Sequence, residues 1–106
     1  MNDPDVLLTQ YGPLGFGVRV TAAQWNIIVT IKHRSMANAL EQVRLTLATP
    51  DEIRRSSSDP TVVLFYKAAS VHRWTCAVVK TLNGDGFLIT AYSTEAIKEG
   101  VVIWKR

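Results

Sequence analysis

The sequence predicts an α+β domain: two N-terminal helices packed on one face of an antiparallel four- to five-stranded meander sheet. Three observations carry that expectation. Apolar residues recur at helical spacing before Pro50 and with a period of two after it. The alternating segments are separated by gaps of hairpin length, Ser58-Asp59-Pro60, Ala69-Ser70-Val71-His72 and Asn83-Gly84-Asp85-Gly86. Helices followed by a run of strands is the layout in which helices cover one sheet face.

Residues 1–17 carry Pro4, Gly12, Pro13, Gly15 and Gly17 without an apolar period, so they read as a flexible leader with room for one short strand. A single domain of residues 18–106 follows. Thr21, followed at three residues by Gln24, has the reciprocal capping pattern of a helix start. Trp25, Ile28, Val29 and Lys32 then share one stripe. Asn26 to Ile31 is rich in β-branched residues and competes as a strand; the cap favours the helix. A second helix is predicted with Ser35 or Asn38 as cap and Leu40, Val43 and Leu47 on one face, stopped by Pro50. Strands are expected at Ile53–Ser57, Thr61–Lys67, Trp74–Leu82 and Phe87–Ser93. A last short strand spans Val101–Trp104, after a polar turn from Thr94 to Gly100.

Alternation along Phe87–Ser93 places Phe87, Ile89 and Ala91 toward the helices and Leu88, Thr90 and Tyr92 on the other face. The side of Lys80 depends on the hairpin register. Pairing Leu82 with Phe87 across a four-residue loop sets Lys80 opposite Ile89, whereas a bulge or an odd loop, which Gly84 and Gly86 permit, moves it to the face of Thr90.

Composition narrows the function classes. The chain has 106 residues, 47% hydrophobic and 20% charged, with a net charge of +3, which is too small to argue for a nucleic-acid partner by itself. The single cysteine, Cys76, leaves no internal disulfide and no Cys-rich zinc site, so a reducing, cytoplasmic setting is expected. The N-terminus is acidic where a signal peptide is basic, and no apolar run reaches the roughly 20 residues of a membrane span. Two histidines far apart, without paired carboxylates at helical spacing, indicate neither a metal site nor a glycosidase pair. No cofactor is implied.

Several fragments together carry a resemblance: Val20-Thr21…Trp25-x-x-Ile28…His33; Val43-x-x-Thr46-Leu47-x-x-Pro50-Asp51-x-Ile53; Leu64-Phe65-Tyr66-Lys67; Trp74…Val78-Val79-Lys80; and Gly86-Phe87-x-Ile89-Thr90-Ala91-Tyr92-x-Thr94-x-x-Ile97-Lys98-x-Gly100…Trp104. Over residues 18–104 the chain resembles a family of small phage- and bacteria-borne domains. That family belongs to the barnase, EndoU, colicin and RelE-like ribonuclease superfold. The resemblance implies metal-independent endonucleolytic cleavage of RNA. Since many members of the superfold act as toxins, it also implies a cognate inhibitor protein. One departure is Arg34 after His33, where the family usually carries proline. Relatives that have lost catalytic residues leave a second reading open, an inactive member that binds RNA or protein.

Metal-free cleavage needs a base for the 2′-hydroxyl, a cation or N–H cluster for the phosphorane, and an acid for the 5′-oxygen. His33 is the candidate acid or base, with Lys32 and Arg34 beside it to hold phosphate; the bland alternative is a solvated helix end. Lys80, Thr90 and Tyr92 complete the candidate catalytic set, Tyr92 as an acid only if nearby cations lower its pKa. Tyr66, Lys67, Thr94 and Lys98 are candidate substrate contacts, Tyr66 as a stacking platform or as a plain sheet aromatic. His72 falls in a hairpin loop, at most one of Arg54 and Arg55 can line a site, and Cys76 reads as a small buried group.

Overall fold

The computed structural model describes residues 5–106. The segment expected as a leader forms a hairpin: strand β1 (Val6–Tyr11) pairs antiparallel with β2 (Gly17–Thr21). Its loop turns at Gly12-Pro13-Leu14-Gly15, where the Gly15 N–H donates to the Gly12 carbonyl at 3.1 Å. Proline suits the second position of such a turn because its φ is already set.

Thr21 ends β2 and caps α1 (Ala22–Ile27), its hydroxyl accepting the Gln24 N–H at 3.1 Å. The helix does not run on as α to Lys32. The consecutive β-branched residues Ile28 to Ile31 crowd the preceding turn, and here the backbone widens into a π-turn over Ile28–Lys32. The His33 N–H closes it on the Ile28 carbonyl at 2.6 Å. A single 3₁₀ turn, Arg34–Met36, leads to α2 (Leu40–Ala48), which buries Val43, Thr46 and Leu47. Neither Ser35 nor Asn38 caps α2: Ala39 holds the cap position with no side-chain bond. The buried Thr46 hydroxyl is satisfied by donating to the Gln42 carbonyl at 2.8 Å.

Five strands follow, β3 (Glu52–Arg55), β4 (Val62–Ser70), β5 (Arg73–Leu82), β6 (Asp85–Thr94) and β7 (Val101–Lys105). Among the described residues the sheet has seven strands in the order β1-β2-β6-β5-β4-β3-β7. The predicted architecture is therefore corrected: the helices are not N-terminal, and the sheet is mixed rather than a four- to five-stranded antiparallel meander. The meander, in which each strand pairs with the next in the chain, is confined to β3 to β6. At one edge β2 adds to β6 in parallel through Val18↔Gly86 and Arg19↔Phe87, the long connection between them running through the helical segment and then through β3, β4 and β5. At the other, β7 returns to pair antiparallel with β3. Both additions cover strand edges that a meander would leave bare.

The β5–β6 hairpin decides which residues share a face. Its loop has two residues, not four: Leu82 pairs with Asp85, and Asn83 and Gly84 take φ 53° and 84°, the left-handed pair a twisted two-residue turn demands. Further along, Val79 pairs with Leu88 but Val78 with Thr90, so Ile89 is an extra, bulged residue. The bulge inverts the parity on its two sides. Leu88 and Ala91 join the helix-side core, while Phe87, expected there, lies on the opposite face with the Arg19 guanidinium 4.5 Å from its ring centre.

The helix-side core unites Val18, Val20, Trp25, Ile28, Met36, Val43 and Leu47 with Ile53, Val63, Phe65, Ala77, Val79, Leu88 and Ala91 from the sheet. A smaller cluster on the other face contains Leu64, Tyr66 and Cys76, flanked by Val78, Tyr92 and Ile97. Among the described residues, no helix is long and apolar enough to cross a membrane.

Candidate functional site

Register assembles the second face of the sheet. Tyr66 pairs with Cys76 and Cys76 with Tyr92, Val78 with Thr90, and Lys80 with Phe87, so Tyr66, Cys76, Tyr92, Thr90 and Lys80 all project to one side. The segment after β6 lays Ile97 over this cluster. Thr94 anchors that segment: its hydroxyl donates to the Ala96 carbonyl at 3.1 Å.

His33 arrives from the other side of the molecule. β2 pairs with β6 only as far as Phe87, and beyond that point the β6 edge is met by α1 and the π-turn. His33 follows the π-turn with φ −144° and ψ 83° and sets its ring against that of Tyr92, centroids 5.5 Å apart and planes at 39°. Two residues far apart in sequence are thereby brought into one site. Lys32 and Arg34 on either side of His33 are exposed, and the Arg34 Nε–H donates to the Thr30 carbonyl at 3.2 Å.

The other predicted residues divide. Thr90 belongs to the site, and its hydroxyl oxygen is buried without a hydrogen-bond partner among the described residues. Lys80 is on the right face but engaged, 3.2 Å from Asp59. Lys98 is exposed, next to Ile97. Lys67 projects to the helix side, where its ammonium donates to the Thr49 carbonyl at 2.7 Å. Tyr66 is 1% exposed, so its ring is a wall of the cluster and not an open platform for stacking.

Burial dominates the electrostatics of this cluster. It pushes the Cys76 thiol up to about 11, against the pull of hydrogen bonds from the Tyr92 and Tyr66 hydroxyls. Burial likewise drives the Tyr66 and Tyr92 hydroxyls well above the usual phenol range. For Tyr92 donation to Cys76 adds to the shift, and for both tyrosines the carboxylate of Glu99 adds a smaller part. Both phenols thus stay protonated hydrogen-bond donors at neutral pH. The condition on which Tyr92 would serve as a proton-releasing acid, a pKa lowered by cations, is not met.

Three participants escape a reading of the sequence. Cys76 ties Tyr66 to Tyr92 only because the register aligns the three, and Glu99 acts on them from a loop. Gln24 is legible as a cap partner, yet its carboxamide crosses to the sheet and its Nε2–H donates to the Ile89 carbonyl at 2.5 Å. Among the described residues, no three His, Cys, Asp or Glu side chains gather as a metal-binding group.

Comparison of the chain with protein-family models, curated proteins and solved structures returns no match.

Proposed function

We propose that the domain is a small endoribonuclease that cleaves RNA by acid–base transesterification without a metal ion, at a site centred on His33 and Tyr92. The observation that carries this reading is the contact of the two rings across the β6 edge, with a buried, unpartnered Thr90 hydroxyl on the same strand. A histidine is the side chain best suited to move a proton in both directions near neutral pH. In the proposed step the neutral His33 imidazole takes the proton of the ribose 2′-hydroxyl and the 2′-oxygen attacks phosphorus. The 5′-oxygen departs with a proton from the imidazolium, leaving a 2′,3′-cyclic phosphate and a free 5′-hydroxyl. Tyr92, once its hydroxyl turns from Cys76, and Thr90, once the docking RNA uncovers its hydroxyl, hydrogen-bond as neutral donors the charge that develops on the phosphorane oxygens. Lys32, Arg34 and Lys98 hold the flanking phosphates, and Lys80 contributes only when Asp59 releases it.

The second reading, a non-catalytic domain that binds RNA or protein, draws support from the Lys80–Asp59 pair and from two phenols held protonated. One experiment separates the two. Purified protein is incubated with tRNA and total RNA in EDTA, beside His33→Ala and Tyr92→Phe. The nuclease reading expects cleavage ending in cyclic phosphate, reduced about 10²-fold or more without His33 and about tenfold without the Tyr92 hydroxyl. No cleavage, or cleavage indifferent to both substitutions, overturns it. RNA retained without cleavage supports the second reading.

A further inference from the structure

We infer that Gln24 is a positioning residue of this site: by donating from the start of α1 to the bulged Ile89, it sets the placement of His33 against Tyr92. Thr21 and Gln24 have the sequence of a reciprocal cap, in which the Gln24 carboxamide would satisfy the Thr21 backbone. Half of that cap forms, the Thr21 hydroxyl accepting the Gln24 N–H. The carboxamide gives up the other half and spans 65 positions of sequence to the Ile89 carbonyl. A side chain diverted from a favourable local bond marks a place where tertiary geometry outweighs helix capping.

The destination matters because Ile89 is the bulge. That extra residue puts Thr90 and Tyr92 on the face of Cys76 and Lys80. Beyond Phe87 the parallel β2 ladder has ended, so the carboxamide supplies the hydrogen bond that the next ladder position would have made. The same carboxamide fixes the start of α1 relative to β6, and the helical segment that begins there ends by delivering His33. Between the two anchor points the backbone has little freedom, since α1 runs directly into the π-turn and the His33 N–H is held by the Ile28 carbonyl. Gln24 is thus no catalytic group; it acts through the bulge and the helix.

This inference shares its site with the proposed nuclease, and its test is read first by a signal independent of cleavage. Gln24→Glu keeps the helix cap, and even offers the better capping partner, but its carboxylate cannot donate to a carbonyl. Gln24→Met keeps length and helix propensity and has no donor. In both, NMR is expected to show loss of the through-space contacts between the His33 and Tyr92 rings and shifted Thr90 and Tyr92 amides, with the other strand amides unmoved. Where wild type cleaves RNA, kcat is expected to fall about tenfold or more with KM little changed, as for a misplaced catalytic group. Gln24→Glu should recover part of the ring contact below about pH 4, where a carboxylic acid can donate. Unchanged ring contacts in either folded variant overturn the inference. So does rapid solvent exchange of the Gln24 carboxamide protons in wild type, a measurement that needs no variant to fold. Absence of RNA cleavage in wild type would count against the nuclease alone and leave the ring contacts to decide the role of Gln24.

Discussion

Asp59 shows how one side chain governs the charge offered by the site. It accepts hydrogen bonds from the Thr61 hydroxyl at 2.7 Å and the Thr61 N–H at 3.0 Å, and faces the Lys80 ammonium at 3.2 Å. These bonds, the Thr61 hydroxyl foremost, hold its carboxyl down to about 2, from an ordinary 3.8. A carboxyl with a depressed folded-state pKa contributes stability that is fully present above its unfolded value. That contribution is lost as pH falls toward the folded value, because protonation then costs the native state more than the unfolded one. The window is therefore about pH 4 to 2. Asp59→Asn cannot titrate, so urea midpoints of wild type and variant should differ at pH 6 and converge as pH drops through that window. Parallel curves from pH 6 to 2 would show that the pair adds nothing to folding. At the same scale, the sequence revealed the residue types of the site but not their states: Tyr92 could be named as a hydroxyl on the open face, whereas its raised pKa comes first from burial and then from the neighbours Cys76 and Tyr66, which only the register supplies.

Elements differ in how much of them is local. α2 is readable because Leu40, Val43 and Leu47 repeat at helical spacing and Pro50 stops it. The strands β3 to β6 are readable because each hairpin is closed by residues next to it in the chain. The β1–β2 hairpin is not, since its glycines and prolines look the same in a loose leader and in a tight loop. Nor are the β2–β6 and β3–β7 pairings, which join strands distant in sequence and leave no local trace. The β3–β7 junction rests on Gly100, which enters β7 at φ 88°. A Cβ there would lie 2.5 Å from the Arg55 carbonyl oxygen, a backbone atom fixed in the ladder. Gly100→Ala therefore combines left-handed strain with a contact that no rotamer change relieves. It should destabilise the domain by about 2 kcal/mol. Amide exchange should quicken in β7 and β3 before β5 and β6, and equal protection of all four strands would place the strain elsewhere.

Over the whole molecule, placement of charge says more than its sum. Among the described residues, ion pairs engage Arg19, Arg44, Arg54, Arg73, Lys80, Lys105 and Arg106 with Asp85, Glu41, Glu52, Glu95, Asp59, Glu52 and Asp51 respectively. The cations outside those pairs are Lys32, Arg34, Arg55, Lys67 and Lys98. Lys32 and Arg34 flank His33, Lys98 adjoins the loop over Tyr92, and Lys67 is tied to Thr49 on the opposite side of the sheet. A net charge of +3 spread evenly would bind RNA weakly and without direction. In the proposed site Lys32, Arg34 and Lys98 each hold one phosphate, and that footprint can be counted. Each phosphate neutralised on a single strand contributes about −0.7 to the slope of log K against log salt, so the patch predicts a slope of about −2. Removing Lys32 or Lys98 should bring it to about −1.4, since one phosphate fewer is then neutralised. Lys67→Ala changes the net charge by the same amount on the far side and should leave the slope alone. The measurement is RNA retention from low to moderate salt, made in the His33→Ala background so that cleavage does not interfere. If Lys67 matters as much as Lys32, binding follows net charge, and the grouping around His33 has no part in it.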